Sequence, residues 1–174
     1  MAGLNITSYN CRGLPKTNTK LLLRPDIMEL FKVSDIIGFQ ETHYSKQDIK
    51  CLNSIYKDFI GTGVAKIDEG TGIVNGRYSG GVALMWKSNI SHAIKSLDLG
   101  ADWCVGIEIN AGSSKFVIIN VYLPYQCHGH EDLYIENLGF IKAIIDELNC
   151  TNFVILGDFN ANLRHTGNNL FLVI

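Results

Sequence analysis

The sequence predicts a layered α/β fold with mixed sheets, and three of its features point there. The chain opens strand, helix, strand, the alternation from which layered α/β architectures are built. A run of strand candidates rich in Val, Ile, Trp and Tyr follows, two of them joined by a short hairpin loop, so antiparallel pairing enters the sheets. A long amphipathic helix and one more short apolar strand close the pattern.

Leu4, Ile6 and Ser8 alternate with Asn5, Thr7 and Tyr9, the period of two expected of a strand, and Cys11-Arg12-Gly13-Leu14-Pro15 breaks it. Pro25 suits a first helical turn, and Ile27, Met28, Leu30 and Phe31 follow at helical spacing, which predicts a helix to about Lys32. Asp35 to Thr42 reads as a buried strand ending in Gln40, Glu41, Thr42 and His43. Ser45 to Ile55 reads as a short helix, Phe59 to Ala65 as a strand, and Lys66 to Ser79 as a long loop. Gly81 to Trp86, Ile90 to Leu97, Trp103 to Asn110 and Lys115 to Tyr122 are further strands, the last two joined through Ala111-Gly112-Ser113-Ser114. From Glu131 to Leu148 the apolar residues Leu133, Tyr134, Leu138, Ile141, Ile144, Ile145 and Leu148 share one helical face. Phe153 to Leu156 is a short buried strand running into Gly157-Asp158-Phe159-Asn160.

The 174 residues are 47% hydrophobic and 18% charged with 3 Pro, a composition that suits one compact domain and excludes a disordered chain. No linker or internal repeat divides it. The five cysteines are odd in number and at least 23 residues apart, which fits neither a disulfide framework nor a paired zinc site, and a reducing compartment is expected. Residues 1 to 20 carry no continuous apolar run, and no stretch reaches the roughly 18 apolar residues of a membrane span. The expectation is an intracellular monomer, nuclear or cytoplasmic, without a membrane. The net charge of -2 does not announce a nucleic-acid binder, and residues 111 to 174 hold six acidic against three basic side chains. Such a surface suits a phosphate backbone only where bound cations offset it.

Three strands deliver compact polar residues at their carboxyl ends: Asn10, then Glu41 after Gln40, then Asp158 with Asn160. Central strands of one sheet would gather these ends at one rim. Two carboxylates and two carboxamides form an oxygen-only donor set suited to Mg²⁺, which keeps several waters and takes one or two protein carboxylates beside substrate phosphate. Each residue alone also has a plain structural role: Asn10 could close an Asx-turn, Glu41 could cap the helix near Ser45, and Gly157-Asp158 could simply end a strand. Their recurrence at strand ends is what points to a site. Of the histidines, His43 either lines the same cleft or begins the next loop, and His92 falls on a strand. His128 and His130 precede the long helix, and His165 lies in the tail. None has the spacing of a helical metal pair, and neither a Walker loop nor a Gly-x-Ser-x-Gly elbow is present.

Five segments in order, Ser8-Tyr9-Asn10-Cys11-Arg12-Gly13-Leu14, Phe39-Gln40-Glu41-Thr42-His43, Ser79-Gly80-Gly81-Val82-Ala83-Leu84, Asn120-Val121-Tyr122-Leu123-Pro124 and Gly157-Asp158-Phe159-Asn160-Ala161, resemble the motifs of the endonuclease/exonuclease/phosphatase superfamily. They look most like the apurinic-type endonuclease domain of non-LTR retrotransposons, whose reading frame usually continues into a reverse transcriptase. The resemblance implies a four-layered α/β sandwich, two mixed sheets flanked by helices, with a divalent-metal site where strand ends meet. It implies that Glu41 binds Mg²⁺ or Mn²⁺, that Asn10 positions the metal or the phosphate, and that Asp158 orients and activates the attacking water. Asn160 would hydrogen-bond that water or the scissile phosphate, and Tyr122 would contact the phosphate. The implied activity is metal-dependent nicking of DNA. A phosphatase or phospholipid diesterase of the same superfamily, or a remnant without catalysis, is the alternative.

The departure is at the end. Family members continue to another Asp and a terminal Ser-Asp-His segment, and nothing after Asn160 matches these. The expectation is a domain over residues 1 to 161, truncated at its C-terminus, followed by a divergent tail over 162 to 174 that ends in Leu170-Phe171-Leu172-Val173-Ile174. Strands missing from a sheet would expose apolar area worth roughly 5 to 10 kcal/mol at about 25 cal/mol per Å². Marginal stability and impaired hydrolysis are expected with it.

Overall fold

The computed structural model describes residues 3–67, 80–112, 114–125 and 131–161. Most of the long loop, Cys127, His128, His130, His165 and the tail over 162–174 lie outside the described residues. Two four-stranded sheets face one another. The first holds β1 (Ile6–Asn10), β2 (Ile36–Gln40), β3 (Phe59–Val64) and β4 (Val82–Lys87) in the order β1-β2-β4-β3. The second holds β5 (Ile94–Leu97), β6 (Cys104–Ala111), β7 (Ser114–Tyr122) and β8 (Phe153–Asp158) in sequence order. β1–β2 and β7–β8 pair in parallel and the remaining neighbours antiparallel, so both sheets are mixed.

Alternating residues of the facing strands build the central layer: Ile36, Val82, Leu84 and Trp86 from one sheet meet Val105, Ile107, Ile109 and Ile118 from the other. The opposite face of the first sheet, with Ile37, Phe39, Ala83 and Met85, is covered by Leu21 of α1 (Asn18–Leu21) and by Ile27 and Phe31 of α2 (Pro25–Val33). Phe31 stacks on Tyr56 at 4.3 Å and meets Phe59 edge-on at 4.9 Å, which seals that layer. The outer face of the second sheet, with Val117, Ile119 and Val121, packs against Tyr134, Ile141 and Ile144 of α3 (Glu131–Leu148). Helix, sheet, sheet, helix is the four-layered sandwich expected.

Three local readings change. The segment read as one strand over Ile90 to Leu97 is a 3₁₀ turn over Ser88–Ala93 followed by the shorter β5, which puts His92 on the turn instead of a strand. Ser88, Asn89 and Ser91 compete for local backbone groups and favour the turn. The short helix after Ser45 is 3₁₀ over Lys46–Asn53, closed by a capping box in which Ser45 and Asp48 satisfy one another's backbone, so Glu41 is not its cap. α1 was not anticipated: four residues are too few to show a period, and Thr17 caps it through Lys20 N–H at 3.4 Å.

Candidate active site

Register decides which strand ends meet. β1 and β2 run parallel with Asn10 opposite Gln40, and β7 and β8 run parallel with Tyr122 opposite Asp158. Each parallel pair therefore finishes together. The four ends lie at the same rim of the sandwich, because the Asn10 amide bridges the sheets: its Nδ2 donates to Glu41 Oε1 at 2.8 Å and to Asp158 Oδ2 at 2.9 Å. Tyr122 donates its hydroxyl to Glu41 Oε1 at 3.2 Å. Asn160 donates its backbone N–H to Asp158 Oδ1 at 3.0 Å and one side-chain N–H to Leu123 O at 2.8 Å, and its side chain also hydrogen-bonds the Tyr122 hydroxyl. All five residues expected from the sequence, Asn10, Glu41, Tyr122, Asp158 and Asn160, belong to this one cluster.

One of the structural roles open to these residues is present alongside. Asn10 Oδ1 does accept from Arg12 N–H at 3.2 Å, an Asx-turn, while its Nδ2 holds the carboxylates. One side chain thus shapes the loop and orients the acids. His43 lines the cleft, its Nε2 3.5 Å from Glu41 Oε2. Burial, followed by the charge of Glu41, raises the Tyr122 hydroxyl above the usual phenol range and keeps it a donor.

The backbone here is held in sparsely populated conformations. Of the six non-glycine residues with positive φ among the described residues, Arg12 (47°), Glu41 (52°), His43 (55°) and Asn160 (47°) belong to or flank this cluster. Such conformations persist only where surrounding bonds over-determine them. Gly13 N–H to Glu41 O (2.7 Å), Leu14 N–H to Thr42 O (2.9 Å), Thr42 N–H to Gly81 O (3.1 Å) and His43 N–H to Gly80 O (3.0 Å) supply those bonds. Arg24 adds a clamp the sequence reading missed, donating to Cys11 O and Gly13 O at 3.1 Å each while forking onto Asp26. The fork holds Asp26 well below the usual carboxylate range.

The residues fit a hard divalent cation through the chemistry of their donors. Two carboxylates, to which no lysine or arginine among the described residues is bonded, converge on one amide, a set that a Mg²⁺-sized ion with retained waters would complete. Among the described residues no group of three or more His, Cys, Asp or Glu is placed to hold a metal ion. No helix of the described residues is long and apolar enough to cross a membrane.

Comparison with known proteins adds the following. Residues 7–174 match the model of the Endonuclease/Exonuclease/phosphatase family. No curated protein matches the sequence at a significant level. Solved structures similar in fold include a mannosyl-6-phosphatase of Bacteroides thetaiotaomicron (TM-score 0.61, 16% identity, covering 94% of this chain and 68% of that one). An AP endonuclease of Leishmania major is similar at TM-score 0.64 and 16% identity, over 93% of this chain and 56% of that one. The endonuclease domain of TRAS1, a telomere-specific non-LTR retrotransposon, is similar at TM-score 0.56 and 12% identity, over 93% of this chain and 61% of that one. At these identities the likeness is one of fold.

Proposed function

Because the chain belongs to the Endonuclease/Exonuclease/phosphatase family, we propose that its cluster is a divalent-metal-dependent phosphodiester hydrolytic site of the retrotransposon endonuclease type, acting on DNA. The observation that carries the reading is the Asn10 amide joined at once to Glu41 and Asp158 across the two sheets. Two acids so close repel one another, and their persistence side by side is what a cation site requires.

A bound Mg²⁺ or Mn²⁺ supplies charge neutralisation at the phosphoryl oxygens and at the leaving oxygen. Glu41 would hold it, and Asn10, whose Nδ2 grips the Glu41 and Asp158 carboxylates, would help fix its position. Asp158 orients a water against phosphorus and accepts its proton, with Oδ1 anchored by the Asn160 backbone N–H. With substrate bound, Tyr122, kept protonated, would turn its hydroxyl from Glu41 to a non-bridging phosphate oxygen, and the Asn160 amide hydrogen now on Tyr122 would be freed for the water or the same phosphate. The choice of DNA over a phosphomonoester or phospholipid rests on the resemblance of the five motifs to retrotransposon endonucleases; the fold itself is shared with a phosphatase, an AP endonuclease and the TRAS1 domain alike. A reverse transcriptase on the same polypeptide, action as a monomer, and a nuclear or cytoplasmic site of action go with this reading.

The test is nicking of supercoiled plasmid under Mg²⁺ or Mn²⁺, with the melting temperature measured across the same metal series. Conversion to nicked circles is expected, abolished by chelator and lowered by at least about 100-fold in Asp158→Asn. A preformed site also raises the melting temperature by mass action. Absence of both nicking and metal stabilisation overturns the proposal, and turnover of a phosphomonoester or a phosphoinositide in preference to DNA corrects the substrate.

A further inference from the structure

One layer below the carboxylates lies a buried polar assembly that the hydrolytic reading does not use. Asn120 is fully buried in β7, within Val117-Ile118-Ile119-Asn120-Val121, and Gln40 at the end of β2 is 1% exposed. Asn120 reaches across to the other sheet. Its Nδ2 donates to Phe39 O of β2 and Ala83 O of β4, both at 2.9 Å, and its Oδ1 accepts from Gln40 Nε2 at 2.6 Å. Gln40 in turn donates to Ser8 Oγ of β1 at 3.2 Å. One carboxamide thereby ties β7 to β2 and β4 of the facing sheet, and Gln40 extends the link to β1. Gly38 leaves the room for it: a Cβ there would stand 3.0 Å from Asn120 Cγ and collide with Leu156.

The rest of the buried sheet interface is apolar, and burial of apolar surface is non-directional, so it holds the sheets together without fixing how far one slides on the other. Directional bonds in a dry interior do fix it. The two residues that follow are those that must meet. Glu41, next after Gln40, sits at φ 52°, and Tyr122, two residues past Asn120 and on the same side of β7, donates to Glu41 Oε1.

We propose that Asn120, acting with Gln40, is a positioning residue that locks the two sheets in the one offset at which Glu41 meets Tyr122 and Asn10. For its effect on metal affinity this rests on the hydrolytic reading above; for the geometry of the metal-free protein it does not. Asn120→Leu keeps the bulk and removes all three bonds; Gln40→Leu is the milder lesion should the first fail to fold.

Two measurements decide it. In metal-free protein the fall in melting temperature on Tyr122→Phe is compared in the native, Asn120→Leu and Gln40→Leu backgrounds. The expected result is that the fall shrinks by at least half once the strut is cut, and additive losses overturn the proposal. The second is Mn²⁺ affinity read from the metal dependence of the melting temperature. It should weaken at least tenfold in Asn120→Leu or Gln40→Leu and stay unchanged in Ile144→Ala, a lesion in the outer core. Equal weakening by all the variants means general destabilisation and overturns the positioning role. Coupling between Asn120 and Tyr122 in a protein that takes up no Mn²⁺ upholds the strut and sinks the hydrolytic reading.

Discussion

Single residues here carry two duties, and Asn10 shows why one of them hides the other. Its Oδ1 closes a turn and its Nδ2 holds two carboxylates, so the local role visible in the sequence is real and the long-range one sits on the same side chain. Burial separates the cysteines in a comparable way. It pushes the Cys11 and Cys104 thiols up to about 12, with Cys11 also donating to Gln40 O at 3.2 Å, whereas Cys51 and Cys150 are partly exposed. Since the thiolate is the nucleophile, iodoacetamide at pH 8 should alkylate Cys51 and Cys150 in the folded protein and leave Cys11 and Cys104 intact until denaturant is added. Peptide mass mapping of the labelled sites checks it, and early modification of Cys11 would show that the loop after β1 opens.

At the scale of elements, the ends of strands do the positioning, and Gly157 is the clearest case. It precedes Asp158 in β8 with φ 138°, and a Cβ there would drive into the carbonyl of Val121 on the neighbouring strand. Gly157→Ala therefore imposes both strain and a backbone collision, and a loss of more than about 2 kcal/mol of stability is expected. Urea unfolding measures it. Gly112→Ala is the control for conformation without collision, since φ there is 66° and nothing lies within 4 Å of the added carbon; it should cost about 1 kcal/mol. The strands, α2 and α3 were legible because apolar periods of two and 3.6 are local properties. α1 and the 3₁₀ turn over Ser88–Ala93 were not, because elements of one or two turns are decided by caps and neighbours before any period can show.

For the whole molecule, charge ties the far rim as the cluster ties the near one. Asp35, just before β2, accepts from Asn5 N–H at 2.9 Å and pairs with Lys87 at the end of β4 at 2.8 Å, joining three strands of the first sheet. The Asn5 N–H, then Lys87, hold its carboxyl below the usual carboxylate range. A carboxyl with a depressed native pKa adds stability above its unfolded value, near 3.9, and that stability disappears as pH falls through the native value. Asp35→Asn should thus cost about 1 kcal/mol at neutral pH and nothing well below pH 3. Melting curves from pH 7 to pH 2 on the two proteins check the convergence; a constant gap at all pH values would mean the carboxylate charge is not what stabilises.

The candidate cluster was readable in outline from the sequence, since Asn10, Glu41, Tyr122, Asp158 and Asn160 stand at the ends of strands that hydrophobic patterning marks out and within motifs of recognisable spacing. Asn120 could have been singled out too, as a polar residue inside an apolar strand that must find partners when buried. Its partners could not. The strand order β1-β2-β4-β3, the sharing of one amide between Glu41 and Asp158, the Arg24 clamp and the Asn120 strut all join residues far apart in the chain, up to 148 positions for Asn10 and Asp158. Local pattern sets which residues are buried and which turn, because those follow from neighbours within one helical turn or one pleat. Which strand ends share a rim is set by how two sheets stack and register, and that free energy exists only once the chain has closed on itself.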